Sequence, residues 1–247
     1  MIHTEIYRVR NYEADSRGRL TLLSLANYLQ DTADRHAILL GVGMPALAEQ
    51  GLSWVLHRMK INIIRWPQLT EEIRVETNPS GLERVFVFRD FRVYDQAGEL
   101  LMTASSTWLV FDTEKRRMVS PGAYFQEIFD PYRALEFLPR AVGKIPAVPP
   151  TEPWVRTVSA RHNEIDTNDH VNNSVYFQWI QEPLPPQFMH SHRCTEIDLV
   201  FKKECSREDR IESKVYPFDS TTLLHLVSNL EGKEVAIGTT AWREISP

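Results

Sequence analysis

Residues 161–179 read Arg161-His-Asn-Glu-Ile-Asp166-Thr-Asn168-Asp-His170-Val-Asn172-Asn173-Ser-Val-Tyr176-Phe-Gln-Trp179. A carboxylate, a carboxamide and an imidazole recur at every second position, at Asp166, Asn168 and His170. Asn172, Asn173 and Ser174 follow, residue types whose side chains accept hydrogen bonds from the first free N–H groups of a helix. An apolar and aromatic helix is predicted to begin there. Its positive end would receive the reactive groups, and the backbone N–H groups of Val171, Asn172 and Asn173 would hold a developing oxyanion.

The stretch also decides the architecture, because it has a counterpart upstream. A shift of 151 residues sets Glu13 under Glu164, Asp15 under Asp166, Leu20 under Val171, Tyr28 under Trp179, Gln30 under Gln181 and Asp31 under Glu182. With a change of loop length, Met59-Lys-Ile61-Asn-Ile63 lies under Ile197-Asp-Leu199-Val-Phe201. The chain reads as two copies of one unit.

Each copy opens with a predicted strand, over 4–10 and 156–162, and continues into a helix. Leu22, Leu25, Ala26, Leu29 and Ala33 form one apolar helical face in the first copy. Val175, Tyr176, Trp179 and Ile180 do so in the second, until Pro183, Pro185 and Pro186 break it. Strands follow. Val55, Met59, Ile61 and Ile63 alternate with Arg58, Lys60 and Asn62, a half-buried pattern. Strands over 71–78, 84–94 and 100–111 complete the first copy, and strands over 195–205, 210–216, 221–228 and 234–243 the second. Asp95-Gln-Ala-Gly98 and Asn229-Leu-Glu-Gly232 read as matching turns. Between the copies prolines concentrate in a connector, with a short helix expected around 123–129.

One helix followed by antiparallel strands, twice over, predicts an α+β chain in which each sheet wraps around a central helix. Joining the two sheets edge to edge would remove an exposed edge. The expectation is a tandem (double) hotdog: an N-terminal repeat at 1–111, a Pro-rich connector at 112–155 and a C-terminal repeat at 156–247.

The segment from Asp166 to Asn173 resembles the D-x-N-x-H-V-N-N segment of the acyl-[acyl-carrier-protein] thioesterases, the plant and bacterial enzymes that end fatty acid synthesis. Lys202-Lys203-Glu204-Cys205 is similar to the basic-basic-Glu-Cys segment of that family, and the resemblance covers nearly the whole chain. It implies the tandem hotdog fold and hydrolysis of fatty acyl-acyl carrier protein to free fatty acid.

The duplication acts as an internal control on the chemistry. His170 has Arg19 as its counterpart, Asp169 has Gly18, Asn168 has Arg17, and Glu204-Cys205 has Trp66-Pro67. Titratable groups gather in the second copy, which is expected to be catalytic while the first shapes an acyl pocket. A thioester suits this equipment, since its carbonyl is electrophilic and its thiolate leaves readily, so an activated water and an oxyanion site suffice without metal or cofactor. Glu204 is assigned as general base, directly or through His170. Asn168 would position the water or the carbonyl, and His170 would orient or polarise it. Asp166 would tie the loop to the helix start and bias the imidazole's protonation. A competing scheme makes Cys205 a nucleophile with His170 as base and Asn168 as orienter. Adjacent strand residues point to opposite faces, and alternation sets Cys205 with Ile197, Leu199 and Phe201, an apolar set. Leu29, Val55, Met59 and Ile61 are candidates for lining the acyl pocket, and equally for plain core. His190, His192 and Cys194 alternate like metal ligands but lack an obvious fourth, and a solvated loop or strand start is the expectation. His36, His57 and His225 read as structural.

The chain has 247 residues with net charge −5, which argues against a nucleic-acid partner and leaves an acidic carrier protein open if a basic patch docks it. Arg65, Lys202, Lys203, Arg207 and Arg210 are candidates, with Arg133, Arg140, Lys144, Arg156 and Arg161. No apolar run reaches the ~18 residues that span a bilayer. The start, Met-Ile-His-Thr-Glu-Ile-Tyr, has neither a basic n-region nor a long apolar h-region. Plant relatives would carry a transit peptide, so a bacterial, cytoplasmic protein is expected. Cys194 and Cys205 form no disulfide framework. One chain supplies both halves of a hotdog pair, so a monomer suffices, and a homodimer is compatible with it. A coenzyme A thioesterase, a hotdog dehydratase and a catalytically silent acyl-binding protein are the alternatives.

Overall fold

A computed structural model describes residues 2–245, without the side chains of residues 123 and 124. The chain divides into two compact units, Met1–Ala141 and Val142–Pro247. The first contains β1 (His3–Arg8), α1 (Leu22–Leu39), α2 (Met44–Ala48), β2 (Leu52–Ile63), β3 (Glu72–Glu83), β4 (Phe86–Asp95), β5 (Leu100–Asp112), β6 (Arg117–Val119) and α3 (Gly122–Phe129). The second contains β7 (Trp154–Ser159), α4 (Asn173–Trp179), α5 (Pro186–Ser191), β8 (His192–Phe201), β9 (Arg210–Pro217), β10 (Thr222–Asn229) and β11 (Glu234–Glu244). The stretch expected as a connector thus carries β6 and α3, and its residues up to Ala141 cluster with the first unit.

The two units repeat one topology. Sheet order in the first is β1-β3-β4-β5-β2, with β6 on β5, and in the second β7-β9-β10-β11-β8. All these pairings are antiparallel. The irregularities repeat as well. An extra residue, His57, bulges β2 against β5, and Thr195 bulges β8 against β11 at the matching place. A second slip falls after Val93 in β4 and after Val227 in β10. The predicted turns match atom for atom: Asp95 and Asn229 each accept two backbone N–H bonds on Oδ1, and Gly98 and Gly232 take φ of 86° and 78°. A side chain at either glycine would strain that left-handed conformation.

The bulge at His57 corrects the predicted alternation. Val55 lies opposite Leu109 and Met59 opposite Ser106, so the extra residue turns Val55 to the sheet face away from Met59 and Ile61. Leu56 takes the core position instead. Val55, Met59 and Ile61 therefore do not line one pocket wall. Leu29, Met59 and Ile61 are fully buried and pack as core.

The helices differ more than the sheets. α1 buries Leu22, Leu25, Ala26, Leu29, Ala33 and Ala37 and runs six residues beyond the predicted face, from Ala33 to Leu39. Its C-terminus is closed by Gly41 at φ 72°, with Gly41 N–H on Ile38 O and Val42 N–H on Ala37 O. α4 has only 7 residues, and prolines follow it. Two of its terminal carbonyls are taken by side chains from the sheet: Ser213 Oγ donates to Trp179 O (2.7 Å), and His225 Nδ1 to Ile180 O (2.9 Å).

Candidate active site

The loop before α4 is built by its own carboxylates. Glu164 accepts Arg161 N–H (2.7 Å) and closes a single 3-10 turn, His162–Glu164. Asp166 Oδ1 accepts the backbone N–H groups of Asn168 (2.8 Å) and His170 (3.3 Å). Asp169 takes a left-handed φ of 60°, a conformation that Asp tolerates better than most side chains. The chain then turns through Val171 into Asn172, whose Oδ1 caps α4 by accepting Ser174 N–H and Oγ–H, both at 2.9 Å.

Glu204 arrives from the far end of β8. That strand stops at Phe201, four residues short of the prediction, so Glu204 and Cys205 lie beyond it. Lys202 and Lys203 N–H both reach Val235 O, Val171 N–H donates to Cys205 O (2.8 Å), and Tyr176 Oη donates to Lys203 O (3.2 Å). Held on both sides, Glu204 projects outward and Cys205 inward. The Glu204 carboxylate, 57% exposed, places Oε2 3.5 Å from His170 Nε2. That separation is longer than a direct hydrogen bond. His170 and Glu204 are 34 residues apart in sequence (204 − 170) and meet in one unit. Asn168 stands exposed on the same loop, with no side-chain partner among the described residues.

Two expectations change. Val171 N–H is spent on Cys205 O and Asn172 N–H on Glu164 O (2.9 Å), so neither is available to an oxyanion. Asn173 N–H, at the first position of the helix, has no partner among the described residues. Asp166, expected to bias the imidazole, holds the loop's backbone, and the carboxylate at the imidazole is Glu204.

Cys205 is 1% exposed, and burial pushes its thiol up to about 11. At neutral pH only about one such thiol in 10⁴ is ionised. Cys194 is buried too, and burial raises its pKa further. His190 Nδ1 lies 2.7 Å from Pro186 O and His192 stacks on Phe188, so the alternating His190, His192 and Cys194 grip nothing together. Among the described residues no three His, Cys, Asp or Glu side chains converge as a metal site, and no helix is long and apolar enough to cross a membrane.

His225 is fixed inside the second unit. Because Ile180 O only accepts, His225 carries its proton on Nδ1, its Nε2 accepts from Thr240 Oγ1 (2.7 Å), and Thr240 accepts from Trp242 Nε1 (2.6 Å). Burial lowers its pKa to about 4. His36 is neutral for the same reason in the first unit, with burial and the nearby Arg89 lowering its pKa to about 3. Sequence reading missed Ser213 and Tyr176 as structural anchors. The one available signal was a polar residue inside each apolar pattern.

Several proposed docking cations are already engaged. Arg65 grips Glu71 with both Nη atoms (2.9 and 2.6 Å), Lys202 pairs with Glu234, Arg133 with Asp130 and Arg140 with Glu83. Lys203, Arg207 and Arg210 are exposed, with Arg207 Nη2 3.8 Å from Asp169 Oδ1.

Comparison with known proteins places this geometry. The sequence model of the acyl-ACP thioesterase N-terminal domain matches residues 1–132, and that of the acyl-ACP thioesterase C-terminal domain matches 149–244. The chain is 26% identical to a chloroplastic palmitoyl-acyl carrier protein thioesterase of Gossypium hirsutum, over 98% of its own length and 64% of the relative's. It is 26% identical to oleoyl-acyl carrier protein thioesterase 1 of Arabidopsis thaliana, over 98% of its own length and 76% of the relative's. The 12:0-ACP thioesterase of Umbellularia californica superposes with a TM-score of 0.88 at 24% identity, covering 99% of this chain and 98% of that one. An acyl-ACP thioesterase of Bacteroides thetaiotaomicron gives 0.88 at 24% identity, covering 98% of each chain. These structural matches show the fold: α+β, with the hotdog unit twice in one chain.

Proposed function

The chain belongs to the acyl-ACP thioesterase family, and on that premise we propose that it hydrolyses the thioester of fatty acyl-acyl carrier protein, releasing free fatty acid. Glu204 takes a proton from water, directly or relayed by His170. The hydroxide so formed attacks the thioester carbon and the carbonyl becomes an oxyanion. Asn168 and the open N–H of Asn173 are the donors offered to it. Collapse breaks the carbon–sulfur bond and expels the carrier thiolate, which receives the proton held by the Glu204–His170 pair. Water is consumed, and acid and thiol are formed.

The observation that carries this reading is the 3.5 Å approach of Glu204 to His170, in the unit whose counterpart has neither residue. The high pKa of Cys205 speaks for water rather than thiolate as nucleophile. Turnover of one acyl group on acyl carrier protein and on coenzyme A separates carrier preference: faster hydrolysis of the carrier-protein thioester is expected, and equal or slower hydrolysis refutes it. Exposed Lys203, Arg207 and Arg210 offer cations to an acidic carrier, so kcat/KM with that substrate should fall steeply with salt. Glu204→Gln should cost about 10²- to 10⁴-fold in kcat. Wild-type turnover in that variant would remove Glu204 from the mechanism.

A further inference from the structure

Tyr176 is 2% exposed, with Trp179 and Phe201 against its ring (centroids 5.1 and 5.4 Å away). Its one hydrogen goes to Lys203 O, 3.2 Å away. A single buried oxygen thus holds the carbonyl of the residue immediately before Glu204.

The fold does not require this oxygen. In the first unit the corresponding segment is pinned identically: Ile64 and Arg65 N–H share Leu101 O, as Lys202 and Lys203 share Val235 O, and Leu20 N–H meets Pro67 O as Val171 N–H meets Cys205 O. At the place of Tyr176 that unit has Leu25, fully buried and without a hydroxyl. At the place of Glu204 it has Trp66. The hydroxyl accompanies the carboxylate.

We infer that Tyr176 is a positioning residue: its hydroxyl clips the backbone just before Glu204 and, with the Val171 N–H bond to Cys205 O just after it, fixes the carboxylate at its distance from His170. The inference rests on the proposed hydrolytic role of Glu204.

Tyr176→Phe keeps the ring and removes the oxygen. With acyl-carrier-protein substrate, kcat should fall about 10- to 100-fold, the size of effect that misplacing a catalytic group by ~1 Å produces, while KM stays within about twofold. The limb of the kcat–pH profile that reports the base should move. The double variant Tyr176→Phe/Glu204→Gln should be no slower than Glu204→Gln alone, since Tyr176 acts through that carboxylate. A Tyr176→Phe enzyme with wild-type kcat and pH profile, or effects that multiply in the double variant, overturns the inference. Wild-type turnover of Glu204→Gln overturns instead the hydrolytic reading beneath it. Should Tyr176→Phe fold poorly, 4-aminophenylalanine and 4-methylphenylalanine at position 176 fill similar volume and differ in the donor. The first should keep kcat within about threefold of wild type and the second should lose about 10-fold or more. Equal rates for the two overturn the clip.

Discussion

Two loops in this molecule share a backbone and differ in what they carry. In the first unit Asp15 accepts the N–H groups of Arg17 and Arg19 on Oδ1, its own N–H meets Arg19 O (2.7 Å), and Gly18 supplies a φ of 72°. In the second, Asp166 accepts from Asn168 and His170, its N–H meets His170 O (2.8 Å), and Asp169 supplies a φ of 60°. The side chains then part. Arg19 folds back so that Nε and Nη2 reach Asp15 Oδ2 at 2.9 and 2.7 Å. Burial works against the Asp15 carboxylate, but the hydrogen bonds from Arg19 and Arg17 outweigh it and lower its pKa. His170 turns instead to a carboxylate from a distant segment. One loop spends its charge on itself, and the other turns its imidazole to Glu204.

The sharpest way to break this contrast is to give the second loop the first loop's residue. His170→Arg should leave the loop's backbone ties intact, because they use main-chain atoms, and should cost about 10²- to 10⁴-fold in kcat. Activity near wild type would show that the imidazole is not needed. pH offers the next test. A Cys205 thiolate nucleophile would make the rate climb about tenfold per pH unit toward its pKa of about 11. Water as the nucleophile predicts no climb tied to that thiol, and kcat/KM between pH 8 and 10 decides it.

Stability separates the units further. His225 occupies the place that Phe91 holds in the first unit, as the registers Phe91–Ala104 and His225–Gly238 show. Its folded-state pKa of about 4 lies below its ordinary 6.5, so the unfolded chain binds the proton first as pH falls. The stability it confers is complete above pH 6.5 and is lost progressively down to pH 4, by about 3 kcal/mol. Urea unfolding should show His225→Phe losing about 3 kcal/mol less stability than wild type across that window. An unchanged loss would mean that His225 does not govern the acid sensitivity. The smallest effect belongs to Asp169→Gly, which installs the first unit's residue at a left-handed position. Relief of strain and the added chain entropy nearly cancel, leaving stability within about 1 kcal/mol of wild type. Asp169→Val should cost about 1–2 kcal/mol, and equal melting temperatures for the two variants would deny the strain.

Much of this was legible in the sequence. The 151-residue shift paired Asp15 with Asp166 and Leu20 with Val171, and those residues do make equivalent hydrogen bonds. Helix faces and hairpin turns were readable because 3.6- and 2-residue periods and Asx-Gly turns act locally. The bulge at His57 was not, since an extra strand residue is defined by its neighbour's register, and Val55 was therefore given to the wrong face. The N–H groups of Val171 and Asn172 were credited to an oxyanion because residue order shows neither the approach of the distant Cys205 O nor the loop's own fold back onto Glu164 O. Tyr176 and Ser213 escaped for the same reason: their partners, Lys203 O and Trp179 O, come from segments about 30 residues away.

The claim that a water attacks the thioester directly is tested by the intact mass of the enzyme, acid-quenched within the first turnovers of an acyl-carrier-protein substrate. The protein should keep its unmodified mass throughout, with free fatty acid as the sole acyl product. An acyl adduct on Cys205, formed and discharged at the rate of turnover, would contradict it.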